Sequence, residues 1–224
     1  MGEARAAEMS ASGREAVLAR IKAALSNRLL TEAEAASIEK RMKSPPVGPR
    51  PGISGEAIEQ FVAKAKGNLF TVERVVSLQL LVPAVKRLLE GVDGMPDISV
   101  APALSHLGWP TDWDINVGPG RRIEPISVTP ALAGIAETGS VILLSSPASP
   151  TSLNFLPDVH VVVLRASDIV GFAEDVWARL RSENVDWPRT VNIISGPSRT
   201  ADVGGIVVRP AHGPKAVHIV LVDD

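Results

Sequence analysis

The sequence of 224 residues predicts an α/β fold, a mostly parallel sheet with helices on both faces and an N-terminal helical arm ahead of it. Three observations predict it. Short β-branched runs recur through the second half, at 126–129, 141–144, 159–164, 191–194 and 217–222, with helical signals among them. The N-terminal stretch reads as two capped helices, set apart by a run of prolines. Lastly, the apolar run Val191 to Ile194 stops abruptly in Ser195-Gly196-Pro197-Ser198-Arg199-Thr200-Ala201-Asp202. An open α/β sheet builds a site in this way, at the carboxyl end of a strand.

In chain order, Ser12-Gly13-Arg14-Glu15 and Thr31-Glu32-Ala33-Glu34 both have the Ser/Thr-x-x-Glu spacing of a capping box, which predicts two helix starts. The first helix carries Val17, Ile21, Ala24 and Leu25 on one face; the second is rich in alanine and charge, with Ile38 and Met42 as its large apolar residues. The stretch 44–52, SPPVGPRPG, stops helix and favours an extended connector, so residues 1–52 read as arm and linker and 53–224 as the main domain. Ile58, Phe61, Val62 and Ala65 mark a further helix ending at Gly67-Asn68, followed by a first strand at 69–72. A helix is expected from Pro83 to Glu90 and a strand at 98–100. Gly118-Pro119-Gly120 is only a fragment of a dinucleotide fingerprint and reads as a turn. Among the β-branched runs, 167–181 reads as a helix with Ile169, Phe172, Val176 and Leu180 on one side.

Composition narrows the function classes. With 23 basic and 25 acidic residues the formal charge is -2, which argues against a nucleic-acid or anionic-membrane surface. Tyrosine is absent and the four tryptophans are scattered, so a stacking platform for single strands is poorly supported. The absence of cysteine excludes disulfides, thiolate metal sites and iron–sulfur ligation within this chain, so a redox cluster would have to sit on a partner. The first residues lack the apolar core of a signal peptide, and no apolar run approaches bilayer length, which points to the cytoplasm and to no membrane span. Four histidines without shared ligand spacing give no metal site.

Three segments carry candidate chemistry. In 194–202, Ser195, Ser198 and Thr200 supply hydroxyls, Gly196 allows close backbone approach, and Arg199 and Asp202 supply opposite charges, a set suited to a small anion such as a carboxylate or phosphate. The competing reading is a capped turn in which Ser198 or Thr200 only satisfies backbone. In Gly134 to Ser140, the Glu137 carboxylate sits among small residues with Thr138, Gly139 and Ser140 as neighbouring donors. Glu137 is therefore a candidate nucleophile, base or ligand anchor, against the reading in which it ends a helix with Gly139 as the left-handed turn residue. In the last segment, His212, Gly213 and Lys215 fall in a turn before the final apolar run and suit acid–base or anion-binding work. His218, inside that run, reads as a core or edge histidine.

The ordered set GIAETGS (134–140), SLNFLPDVHVVVL (152–164), ISGPSRTAD (194–202) and AHGPKAVHIVLV (211–222) resembles the LUD domain family, and most closely its lactate utilization branch. The resemblance runs from about Phe61 to the C-terminus and is strongest after Ile126. It implies a fold similar to the NagB/RpiA/CoA-transferase superfamily, with the N-terminal helices as a variable arm. It also implies a cytoplasmic role in oxidising L-lactate to pyruvate beside cysteine-rich and iron–sulfur partner proteins. Without cysteine or a recognisable flavin or nicotinamide motif, this chain is expected to be a non-redox accessory subunit with no cofactor of its own. The alternative is an autonomous enzyme of CoA-transferase or sugar-phosphate isomerase type acting through Glu137. Two departures stand out. Ala201-Asp202-Val203 leads into Gly204-Gly205 where the family pattern continues into a glutamate, which makes the loop more flexible, and Pro210-Ala211 stands where Gly-Val usually precedes His-Gly-Pro.

Overall fold

The computed structural model describes residues 2–25, 30–53, 55–90, 97–121, 125–182, 187–200, 204–208, 210 and 212–223. The chain divides into two compact units, Met1–Gly48 and Pro49–Asp224.

The first unit holds α1 (Gly2–Ala24) and α2 (Glu32–Lys43). The helix expected to begin at Ser12 begins ten residues earlier, because 3–9, EARAAEM, is made of strong helix formers that continue the helix through Ser12. The second start falls at the expected place. Thr31 caps α2 with a complete capping box, its Oγ1 accepting from the Glu34 amide at 3.2 Å while the Glu34 carboxylate accepts from the Thr31 amide at 2.9 Å. Ile38 and Met42 remain exposed.

In the second unit the elements run α3 (Ala57–Gly67), β1 (Thr71–Val75), α4 (Leu81–Leu88), β2 (Asp97–Val100), β3 (Asp114–Val117), β4 (Ile126–Pro130), β5 (Ala133–Ile135), β6 (Ser140–Leu144), β7 (Val159–Arg165), β8 (Ile169–Val170), α5 (Ala173–Ser182), β9 (Val191–Ile194) and β10 (Ala216–Val222). The main sheet has the order β1-β10-β7-β4-β2-β3, and each of these pairings is parallel. Its central strands are buried on both faces and mainly apolar, as suits a doubly covered parallel sheet. On β7, Val161 and Val163 pack with Leu81, Ala84 and Val85 of α4, whereas Val162 and Leu164 pack with Phe61 and Ala65 of α3.

A second sheet, of order β8-β5-β6-β9, lies on the α3 side, and the alternation of runs did not reveal it. Val141 and Leu143 of β6 join the core shared with β7 and β10, while Ile142 faces Val176 and Leu180 of α5. Two expected boundaries shift for this reason. The residues 134–140 form a β5–β6 hairpin and not a helix end, with the Gly139 amide donating to the Ile135 carbonyl at 2.8 Å. The helix expected from Ser167 starts only at Ala173, since Ile169-Val170 is taken up as β8, paired with Gly134 and Ile135. Pairing captures a β-branched dipeptide that helical periodicity had assigned elsewhere.

The proline-rich stretch is anchored at its end within this unit. Arg50 forms an ion pair with Asp175 at 3.0 Å and lies 4.8 Å over the Phe172 ring. Among the described residues no helix is long and apolar enough to cross a membrane.

Candidate functional site

The candidate site lies where the two sheets meet, and its position follows from strand direction. Because β6 and β9 are antiparallel, the start of β6 lies beside the end of β9, with Val141 opposite Ile194. The hairpin turn that precedes Ser140 is thereby carried to the loop that follows Ile194. Three hydroxyls link the two segments: Thr138 Oγ1 to Ser140 Oγ at 2.8 Å, and Ser140 Oγ to Ser195 Oγ at 2.7 Å. Ser140 is buried and Thr138 exposed.

The end of α3 supports both loops. Asn68 Nδ2 donates to the Thr138 carbonyl at 2.7 Å. A Cβ on Gly196 would fall well inside van der Waals contact of the Asn68 carbonyl oxygen, and one on Gly139 would strike the backbone of Lys64 and Ala65. Both glycines also have left-handed φ, 113° and 68°. They are needed because the backbone of α3 passes directly against them. The left-handed residue that ends α3 is Leu69, at φ 72°, and not Gly67.

The third segment joins through Ser198. Its amide donates to the Pro214 carbonyl at 2.9 Å, and its Oγ accepts from the His212 amide at 3.2 Å. The far side of the loop is closed by an antiparallel bridge between Thr200 and Val208. Gly204 and Gly205, the departure noted above, lie in a turn between these bridge residues, both with positive φ, so they serve the turn geometry.

Together these segments enclose a pocket of about 440 Å³. Of the sequence-derived candidates, Ser195, Gly196, Ser198, Arg199, Thr200, His212 and Gly213 line it. Glu137, Thr138, Gly139, Ser140 and Lys215 do not line it. Glu137 is half-buried on the hairpin, its amide donating to the Gly171 carbonyl at 3.1 Å. Lys215 is engaged elsewhere: its Nζ meets Asp158 Oδ2 at 2.8 Å. Asp202 lies outside the described residues.

Sequence reasoning missed Asn154, Phe155, Ile193 and Val217, which also line the pocket. Asn154 is 1% exposed, and its Oδ1 has no hydrogen-bond partner among the described residues. The signal available in the sequence was a lone asparagine within the apolar stretch 153–156, LNFL. Below the pocket lies a second buried polar group. His160 is in register with the lining residue Val217, and its Nε2 is 2.7 Å from Thr129 Oγ1. Burial pushes the His160 pKa down to about 3. It is a neutral hydrogen-bonding group at ordinary pH. Of the core and edge readings of His218, the core one holds: it lies on the interior strand β10, 7% exposed with Nδ1 2.7 Å from Thr71 Oγ1; burial lowers its pKa, and Glu73 partly opposes the shift.

Known proteins resemble this chain at several levels. Residues 125–222 match the LUD domain family model. Over 90 residues the chain is 36% identical to lactate utilization protein C of Anoxybacillus flavithermus, covering 40% of each chain. It is 30% identical over 129 residues to lactate utilization protein C of Bacillus subtilis, covering 52% of this chain and 54% of that one. A further relative, YkgG of Escherichia coli (strain K12), is 36% identical over 102 residues and 44% of each chain. The matched region thus spans about half the length of these curated relatives. The crystal structure of a DUF162 family protein from Deinococcus radiodurans shares the fold, with a TM-score of 0.53 and 22% identity over 77% of this chain and 99% of that one.

Proposed function

We propose, for a chain that carries a LUD domain over residues 125–222, that it serves lactate utilization in the cytoplasm as a non-redox subunit that captures an organic anion. The observation that carries this reading is the convergence on one pocket of Ser195, Ser198, Arg199, Thr200 and His212, from two loops joined through Ser198. Arg199 supplies the positive charge and the hydroxyls supply donors, so a carboxylate or phosphate would gain charge-assisted hydrogen bonds. Relatives named lactate utilization protein C support the system to which the anion belongs. The electrons of lactate oxidation would pass through cysteine-rich and iron–sulfur partners, since this chain has no cysteine with which to hold a cluster.

Glu137 weighs against an autonomous acyl-transfer or isomerase reading. A nucleophile or base must reach the reacting atom, and Glu137 is not among the residues lining the pocket. The test is calorimetry with L-lactate and inorganic phosphate on the wild type and on Arg199→Ala. A charge-assisted bond contributes roughly 1.5–3 kcal/mol, so the variant should bind about tenfold more weakly or worse. Equal affinity in the two proteins would end the anion-capture reading.

A further inference from the structure

Asn154 does not fit a pocket built only for a small anion. It ends the 3-10 turn Thr151–Asn154 and lines the pocket, yet it is 1% exposed and its Oδ1 is sealed from solvent without a partner among the described residues. Folded proteins rarely leave a buried amide oxygen unpaired unless a ligand or water completes it. The two ends of a carboxamide exchange by a half-turn, so the group can offer either its oxygen or its NH₂ to an occupant.

The rest of the lining is divided by chemistry. Phe155, Ile193, Ile194 and Val217 are apolar, while Arg199 and its neighbouring hydroxyls supply charge and donors. Size then discriminates between occupants. The pocket measures about 440 Å³, far more than a single water needs. A hydroxy acid with the few heavy atoms of lactate would fill only a small part of that and leave the apolar residues facing water. Pockets of this size, roughly 300–1,000 Å³, hold considerably larger organic ligands, with polar groups fixing orientation and apolar walls supplying affinity.

We propose that the pocket binds an amphiphilic organic acid larger than lactate: its anionic group at Arg199, its apolar body against Phe155, Ile193 and Val217, and a hydroxyl on it hydrogen-bonded by Asn154. This rests on the anion-capture reading and names the class of the anion. Asn154 is its specificity residue. A hydroxyl is both donor and acceptor and satisfies the carboxamide in either orientation. A site built around such a bond rejects a ligand that lacks it, because the buried group is again left unpaired.

The experiment uses the full chain and calorimetry with three probes. L-3-phenyllactate has the acid, the hydroxyl and an apolar body; L-lactate lacks the body; 3-phenylpropanoate lacks the hydroxyl. Phenyllactate is expected to bind about tenfold or more tighter than lactate, through burial of the ring, and about tenfold tighter than 3-phenylpropanoate. In Asn154→Leu the advantage over 3-phenylpropanoate should disappear while 3-phenylpropanoate itself binds at least as tightly as before, which also reports an intact fold. If the leucine variant does not fold, Asn154→Ala supports the same comparison. Lactate binding as tightly as phenyllactate overturns the apolar body, and an advantage that survives loss of the asparagine overturns the role of Asn154. Should inorganic phosphate bind through Arg199 while phenyllactate does not bind at all, this inference fails and anion capture stands. If neither binds, anion capture itself has failed.

Discussion

Acid should destabilise this protein through His160. Its side chain is fully buried in the main sheet, with Nε2 2.7 Å from Thr129 Oγ1 and Nδ1 without a hydrogen-bond partner among the described residues. Burial lowers its pKa from 6.5 to about 3. The unfolded chain therefore takes up a proton near pH 6.5, while the folded chain resists it until about pH 3. Between those values the unfolded state binds more protons, and stability falls as pH falls. Each pH unit in that window costs about 1.4 kcal/mol, so moving from about pH 7 to about pH 4.5 removes roughly 2–3 kcal/mol. That is a large share of the roughly 5–15 kcal/mol typical of a domain. The assay is urea unfolding followed by fluorescence of Trp109 and Trp113, which pack against the main-sheet core on its α4 side. It is run at both pH values on the wild type and on His160→Gln, whose amide can still meet Thr129 but does not titrate. His218, also lowered by burial, acts in the same direction and is present in both proteins, as are the carboxylates. The wild type should lose roughly 2–3 kcal/mol more than the variant. Equal losses would show that the folded state accommodates a charged His160, and the reasoning from burial would be wrong.

Three further outcomes follow from the geometry. Gly196→Ala should lower stability by roughly 2 kcal/mol or more, because φ is 113° and the new methyl meets the Asn68 carbonyl; an unchanged melting temperature would refute that close approach. Leu69→Gly should raise stability by up to about 1 kcal/mol in denaturant unfolding, since Leu69 holds a left-handed φ of 72° and is 41% exposed, so little burial is lost; a loss would mean that its side chain is worth more than the strain. Lys215→Met should leave anion affinity within about twofold while Arg199→Ala weakens it about tenfold, because Lys215 is paired with Asp158 and does not line the pocket; the reverse ranking would exchange their roles.

What could be read in the sequence was whatever a local pattern encodes. The β-branched runs at 126–129, 159–164 and 217–222 became β4, β7 and β10, because strands buried on both faces read as short, mainly apolar β-branched runs. The Thr31 box became a cap because its partner is only three residues away. Less visible were the elements whose identity depends on a distant neighbour. Ala133–Ile135 has no run long enough to announce a strand and exists as β5 through pairing with β6 and β8. Ile169-Val170 suits a helical stripe until β5 claims it. The same limit hid Asn154. An asparagine between leucine and phenylalanine is only a weak local signal, and it is the approach of 193–200 and 212–214 from elsewhere in the chain that makes a pocket beside it.

That convergence also changes how the end of β9 should be read. An open parallel sheet places ligands at the carboxyl ends of its strands, and the abrupt stop after Ile194 suggested such a site. Ile194 is indeed a carboxyl end, but its strand belongs to the second sheet, antiparallel to β6. Relative to the main sheet the surrounding residues sit at the opposite edge: Asn68 precedes β1, Asn154 precedes β7, and His212 to Pro214 precede β10. These three strands are neighbours in the order β1-β10-β7, so their entry loops are brought side by side. The amide of Lys215 fastens two of them by donating to the Asp158 carbonyl at 2.7 Å. Among the described residues the carboxyl edge of the main sheet contributes nothing to the pocket lining. The second sheet is thus what creates the site, because it sets one strand's exit against three strands' entries. The hydroxyls of Thr138, Ser140 and Ser195 run along that seam. Glu137, one residue before Thr138, stands outside this chain of hydroxyls: its amide donates to the Gly171 carbonyl at 3.1 Å, and it does not line the pocket.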